Sequence, residues 1–310
     1  MNCSRLSELE RLASALAGGA ALELYLTPKP GLVDLADHGA HPDLSIPIME
    51  RSIGIVADYL DEIVRSLVAG EPFPRQKAIG MAAERRMFAE LGTNTHKGYI
   101  FLAGMLLIAR WHAPSADEKA VRLTLSSLAT DFFAAGEEAA SHGHAARNRY
   151  GANGIVGEAI HGFPAVFEGA LPVFRYTLKQ TGCFSTASFA MLARLMQTVD
   201  DTTTLHRGGP AGLARLKRDG RRLERLIASG DDYVAFLRAT NRAYICMNLT
   251  MGGVADMLAL AYGFLLASGD ISENTLDHLG NRQPTAQASL IAKSNRLYTV
   301  NRLDQSTTNS

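Results

Sequence analysis

Across 310 residues, 31 Lys and Arg balance 31 Asp and Glu, and 47% of the chain is hydrophobic. There is material for a sizeable core but no overall field to gather nucleic acid or an anionic membrane. The three cysteines, Cys3, Cys183 and Cys246, are odd in number and far apart, which excludes a disulfide framework and a zinc-ligand spacing.

From Leu6 to Leu26, apolar residues recur at helical spacing (Leu9, Leu12, Leu16, Leu22, Leu24) and predict an amphipathic helix. Thr27-Pro-Lys-Pro30-Gly31 stops it, because the prolines lack N–H donors and push the residue before each into extended geometry. The loop behind carries Asp34, Asp37, His38, His41 and Asp43, five titratable groups in ten residues. That is a candidate acid/base or metal site, set against the plainer reading of a solvated acidic loop. A second helix is expected from about Ile46 to Ala69, stopped at Gly70-Glu-Pro-Phe-Pro74, and a third from Arg75 to Leu91. Glu84 lies two turns before Leu91, on the face leading toward the next loop.

Leu91-Gly-Thr-Asn-Thr-His-Lys-Gly98 concentrates polar chemistry directly ahead of an apolar run, Tyr99 to Arg110. Thr93, Asn94 and Thr95 are capping residues, so a buried helix is expected to begin here. Its free N–H groups, its dipole and the Lys97 ammonium suit a phosphate. The plainer reading is a capped core helix whose Lys and His meet solvent. The run itself is too short to span a bilayer, and no charged-then-apolar leader pattern precedes the first helix, so the expected location is a reducing cytoplasm.

One or two helices are expected between Asp117 and Ala146, closing on Ser141-His-Gly-His144, which reads as a polar turn before it reads as a metal site. Tyr150 to Ala159 is a glycine-rich loop entering a helix that breaks at Gly162-Phe-Pro164. It echoes a dinucleotide fingerprint but follows no strand, which excludes that reading. A helix from Phe184 to Val199 then delivers Asp200-Asp-Thr-Thr-Thr-Leu-His206-Arg207-Gly-Gly209. Adjacent carboxylates repel unless a cation or shared proton relieves them, and Mg²⁺ suits carboxylate and phosphate oxygens. The plainer reading has these acids capping the next helix. Exposed, Arg-rich helices are expected from Leu213 to Arg242. A small-residue loop, Asn248 to Asp256, then precedes an apolar helix from Met257 to Leu266. Residues 1–267 read as one helical catalytic domain and 268–310 as a polar extension, expected to be partly disordered.

In order along the chain, Pro28-Lys-Pro-Gly-Leu-Val-Asp34, Gly39-Ala-His41, Glu84, Asn94-Thr-His-Lys-Gly98, Gly157-Glu158-Ala159, Asp201-Thr202, Arg207-Gly-Gly209, Asn248-Leu249, Gly252-Gly253 and Ala255-Asp256 resemble the triphosphoribosyl-dephospho-CoA synthase family. That family makes the prosthetic-group precursor of citrate lyase and malonate decarboxylase. The chain departs from the family pattern at Asn153 and Val156, which stand where arginines are expected, and at Thr203, Thr250, Met251 and Val254.

The resemblance implies a transferase that moves the triphosphoribosyl part of ATP onto the 2′-hydroxyl of 3′-dephospho-CoA and releases adenine. Such a substitution at an anomeric carbon needs a base, a carboxylate beside the developing sugar cation, and cations around the triphosphate. The catalytic candidates are Asp34, His41, Glu84 and His96. The candidates for holding ATP are Lys29, Asn94, Thr95, Lys97, Gly98, Arg207, Gly208, Gly209, Asn248, Gly252 and Gly253, with Mg²⁺ on Asp201 and Asp256. Three alternatives stay open: a transferase with another cofactor acceptor, a Mg²⁺-dependent nucleotide or ADP-ribose glycosidic hydrolase, and a catalytically silent nucleotide-binding protein. No nucleic-acid or membrane partner is expected, and a homodimer is left open. The expected fold is all-α, a single-domain multi-helix bundle with its functional loops gathered at one end.

Overall fold

The computed structural model describes residues 3–134 and 149–272. The expected turn at His142 and His144, and the polar extension beyond 272, lie outside the described residues. In chain order the helices are α1 (Cys3–Tyr25), α2 (Ile46–Val68), α3 (Phe73–Leu91), α4 (Lys97–His112), α5 (Glu118–Ala134) and α6 (Gly154–Ile160). A π-helical segment (Ala165–Ala170) leads into α7 (Leu171–Thr181), α8 (Phe184–Thr198), α9 (Thr202–Ser229), α10 (Tyr233–Cys246) and α11 (Gly252–Ser268). No strand occurs among the described residues, and the fold is all-α.

Two helices that are apolar nearly all round, α4 and α11, form the centre. Such a helix has no face to give to water, so it must be enclosed. α11 packs against α4, α8 and α1, and α2 closes over α1 and α4. The α1–α11 crossing is set by glycines. A β-carbon on Gly19 would run into the backbone of Ala259 and Gly263, and one on Gly263 would stand 2.9 Å from the Leu16 Cα. Residues from Leu9 to Ile271 share one core.

The helix ends follow local chemistry in part. Pro47 lies in the first turn of α2, where a missing N–H costs nothing. Gly92 ends α3 with φ 71°, a conformation an L side chain resists.

Three starts differ from the sequence reading. His96 occupies the cap position of α4, and none of Thr93, Asn94 or Thr95 makes a side-chain cap; Thr95 and His96 turn inward instead, onto Ser52. The helix expected from Leu213 begins at Thr202, with Asp201 capping it as the plainer reading had it; α9 kinks at Gly209 (φ 60°) ahead of Pro210 and continues to Ser229. α11 begins at Gly252 rather than Met257, so Asp256 sits inside its first turns. The reason is that Asp201, 53 residues away in sequence, accepts from the Val254 N–H and supplies the cap.

Candidate active site

Four helices start at the same place. The β-carbon missing from Gly98, at the head of α4, would collide with the Asp256 carboxylate of α11 and lie 3.4 Å from Ile155 of α6. Gly154 faces Thr202 of α9 equally closely, and Gly252 of α11 faces Thr203. The amino ends of α4, α6, α9 and α11 therefore meet, and small residues allow the approach. Each brings free N–H groups and partial positive charge.

Two acids lie among them. Asp201 is fully buried. Its Oδ1 accepts from Thr204 N (2.7 Å) and its Oδ2 from Val254 N (2.8 Å), so one carboxylate ties α9 to α11. Burial raises its pKa against these amide bonds. Asp256 is half-buried and has no hydrogen-bond donor among the described residues. Burial first, then the nearby Asp201 and Glu23 charges, hold its carboxyl well above the usual range.

The Pro-rich loop docks behind this junction. Asp34 is buried and accepts from Lys29 N (2.6 Å), Ala36 N (2.7 Å) and Asp37 N (3.4 Å), so its oxygens brace the loop itself. The Lys29 ammonium is also fully buried. It pairs with Glu23 Oε1 at 3.2 Å and donates to the carbonyls of Glu23 and Leu24. Its three donors are thus engaged inside the fold, which corrects its expected place as a cation held out to a triphosphate. Asn241 of α10 clamps the same loop, accepting from Gly31 N and donating to Asp37 Oδ2, both at 2.8 Å.

The loop ends on His41, whose Nε2 lies 2.8 Å from Thr250 Oγ1 and whose Nδ1 lies 3.4 Å from the Arg207 guanidinium. Arg207 also donates to Ala40 O (2.7 Å) and Asn248 Oδ1 (3.1 Å). With a cation at Nδ1, Nε2 carries the hydrogen given to Thr250. Burial, then Arg207, lowers the His41 pKa to about 4. Gly208 packs on Leu249 and Gly209 forms the kink just past Arg207.

At the head of α4, Lys97 reaches Glu84 Oε2 at 3.2 Å, with both side chains partly exposed. His96 is buried, its Nδ1 2.6 Å from Ser52 Oγ and 3.2 Å from Thr95 Oγ1, and burial lowers its pKa to about 4. Asn94 Oδ1 is enclosed without a hydrogen-bond partner.

Glu23, Thr250 and Asn241 belong to this constellation and escaped the sequence reading. Thr250 stood there only as a departure from the family pattern, and Glu23 and Asn241 left no signal beyond an acid in an apolar helix and an Asn in an Arg-rich one. Among the described residues no three His, Cys, Asp or Glu side chains group closely enough to hold a metal by themselves. No helix among them is long and apolar enough to cross a membrane.

Fold and site together define an all-helical protein whose buried acids and accessible cations gather where several helices begin, an arrangement suited to a polyanionic substrate. The family model described as CitG, ATP:dephospho-CoA triphosphoribosyl transferase, matches residues 9–274. The 2-(5''-triphosphoribosyl)-3'-dephosphocoenzyme-A synthase of Klebsiella pneumoniae is 33% identical over 272 residues, covering 82% of this chain and 89% of that protein. The synthase of the same name from Pectobacterium atrosepticum is 32% identical, covering 82% and 86%. A probable synthase from Streptococcus equi subsp. zooepidemicus is 34% identical, covering 78% and 91%. The chain belongs to the ATP:dephospho-CoA triphosphoribosyl transferase family and is a transferase. No solved structure matches it.

Proposed function

We propose that the junction of α4, α6, α9 and α11 is where the triphosphoribosyl group of ATP passes to the 2′-hydroxyl of 3′-dephospho-CoA, the reaction of the family to which the chain belongs. The bond from C1′ to adenine breaks, a bond from C1′ to the acceptor oxygen forms, and the hydroxyl proton leaves to a base.

One observation supports the division of labour. Two accessible cations at the junction each hold a candidate catalytic group: Lys97 holds Glu84, and Arg207 holds His41. A triphosphate draws both cations to itself, because charge-assisted bonds to phosphate are stronger and often bidentate for Arg. Glu84 is then free to face the developing sugar cation, and His41 Nδ1 to take the hydroxyl proton. Asp34 and His96, enclosed by their own partners, position the loop and the head of α4. Asn94, with an acceptor awaiting a donor, suits a ribose hydroxyl.

Mg²⁺ fits the acids at the junction. Asp256 has no donor of its own and stands near the like charge of Asp201, a repulsion that a divalent cation relieves. Mg²⁺ is commonly held by one or two carboxylates plus substrate phosphates, so no larger protein ligand set is required. Asp256 would be the direct ligand, with Asp201 adding charge from behind, and the ion would shield the triphosphate. The absence of cations at Asn153 and Val156 makes this help more important. A location in the cytoplasm accords with this chemistry.

The test is mass analysis of products from ATP·Mg with 3′-dephospho-CoA. Adenine release that depends on the acceptor, with a product carrying the added triphosphoribosyl mass, is expected. Adenine released from ATP alone would replace the transferase by a hydrolase. Lys97→Ala and Arg207→Ala should each lower kcat/KM by about 10- to 100-fold, the loss of one charge-assisted contact. Glu84→Gln should lower kcat by about 100-fold while leaving KM nearly unchanged.

A further inference from the structure

In a chain whose charges balance, positive charge is concentrated on the hairpin of α9 and α10. Arg218, Arg221, Arg222 and Arg225 follow one another at helical spacing along α9, all exposed, and exposed Arg238 and Arg242 stand one turn apart on α10. The Arg222 guanidinium lies 4.9 Å over the Phe236 ring, which ties the row on α9 to the neighbouring helix.

The acids of the hairpin are committed elsewhere. Asp219 accepts from Arg215 and Tyr244, Glu224 from Arg194 and Gln197, Asp231 from Ser229, and Asp232 caps α10. Among the described residues none of the six arginines has a carboxylate within ion-pair distance. Uncompensated like charges along one helix repel at i, i+3 and i, i+4 spacing, so the row lowers helix stability in the free protein. That cost is relieved when acids arrive.

The row begins beyond the Gly209 kink of α9. Among the described residues none of its arginines bonds a residue of the junction, and their neighbour Lys217 is held by Asp200 at 2.6 Å. The composition of the row also selects among anionic partners. Its Phe236 ring lies under Arg222 rather than open for base stacking, and the exposed apolar side chains of this hairpin, Ile245 and Met247, lie past Arg242 at the end of α10 rather than between the arginines. Planar guanidiniums at fixed helical intervals match carboxylates pairwise, and Arg is the cation enriched at protein interfaces.

We infer that the exposed arginine row of α9 and α10 is a docking surface for an acidic protein, separate from the active site. The probe is poly-L-glutamate, titrated by fluorescence anisotropy at low salt. Its competitors are a single-stranded oligonucleotide of matched charge and phosphatidylglycerol vesicles. The variant is Arg218→Glu/Arg221→Glu/Arg225→Glu, which spares the ring contact of Arg222. A control variant, Arg51→Glu/Arg65→Glu, reverses exposed charges on α2.

The expected result is at least about a 10-fold loss of poly-L-glutamate affinity and a shallower salt dependence in the α9 variant, with the α2 variant like wild type. Transferase kcat/KM should stay within about twofold in the α9 variant, because among the described residues none of the three arginines bonds a residue of the junction. Equal loss in the α2 variant would reduce the effect to general charge and overturn the assignment. So would tighter binding of the oligonucleotide or the vesicles than of poly-L-glutamate. A fall in kcat/KM matching the loss of binding would make the row part of substrate capture, and would equally overturn it.

Discussion

His41 is wedged between a guanidinium and a hydroxyl, and burial first, then Arg207, lowers its proton affinity. Its folded pKa, about 4, lies below the unperturbed value of 6.5. The neutral form is therefore present above pH 4 and is lost as pH falls through it. If His41 is the base, kcat/KM falls on the acid side with a midpoint near 4, and Arg207→Ala moves that midpoint upward toward 6.5. A midpoint unmoved by the substitution would assign the limb to another group. Lys29 makes a different point. The family resemblance and the implied reaction presented it as a cation for the triphosphate, whereas the fold buries it against Glu23. Removing one partner of a buried pair leaves an uncompensated charge, so Lys29→Met should destabilise by about 3–5 kcal/mol. Adding Glu23→Gln should recover much of the loss, as read by urea unfolding. No recovery in the double variant would show that the carbonyl bonds of Lys29, not its charge, hold the loop.

At the scale of elements, helices were legible where apolar periodicity and explicit stops coincided. α1 and α2 lie where their patterns and their Pro or Gly stops put them, and α3 and α8 where their patterns put them. What misled was the cap. Thr93, Asn94 and Thr95 are the right residue types at the right place, but Ser52 draws Thr95 and His96 inward and α4 begins without a side-chain cap. Conversely α11 starts early because its cap arrives from Asp201 on another helix. Asp201→Ala therefore removes the acceptors at two helix starts and leaves buried N–H groups unpaired. A loss of about 2–4 kcal/mol in unfolding free energy is expected, with proteolysis opening the 248–251 loop first. A loss under about 1 kcal/mol would mean that water replaces the carboxylate at both starts.

The whole molecule brings together residues from Glu23 to Asp256 around one core, and ligand binding at the junction is coupled to the stability of four helices. ATP·Mg at about a hundred times its Kd should add about 2.7 kcal/mol to unfolding free energy. The increment should shrink strongly in Asp256→Asn if that carboxylate holds the ion, and persist unchanged if it does not. Thermal unfolding with and without ATP and Mg²⁺ decides this. The departures at Asn153 and Val156 fall at the start of α6, which makes α6 the place to look for any change of acceptor.

The sequence by itself determined that the fold is all helical, where most helices run, and which polar blocks stand apart from the core pattern. Those properties depend on neighbours a few residues away, and periodicity with proline and glycine stops encodes them directly. Only the tertiary structure decided which of the charged residues face one another. Glu23 with Lys29, Asp201 with Val254, and His41 with Thr250 and Arg207 are partners set by burial and by glycine-permitted helix crossings. A side chain's charge, accessibility and proton affinity follow from what surrounds it in space, and nothing in its local spacing carries that information.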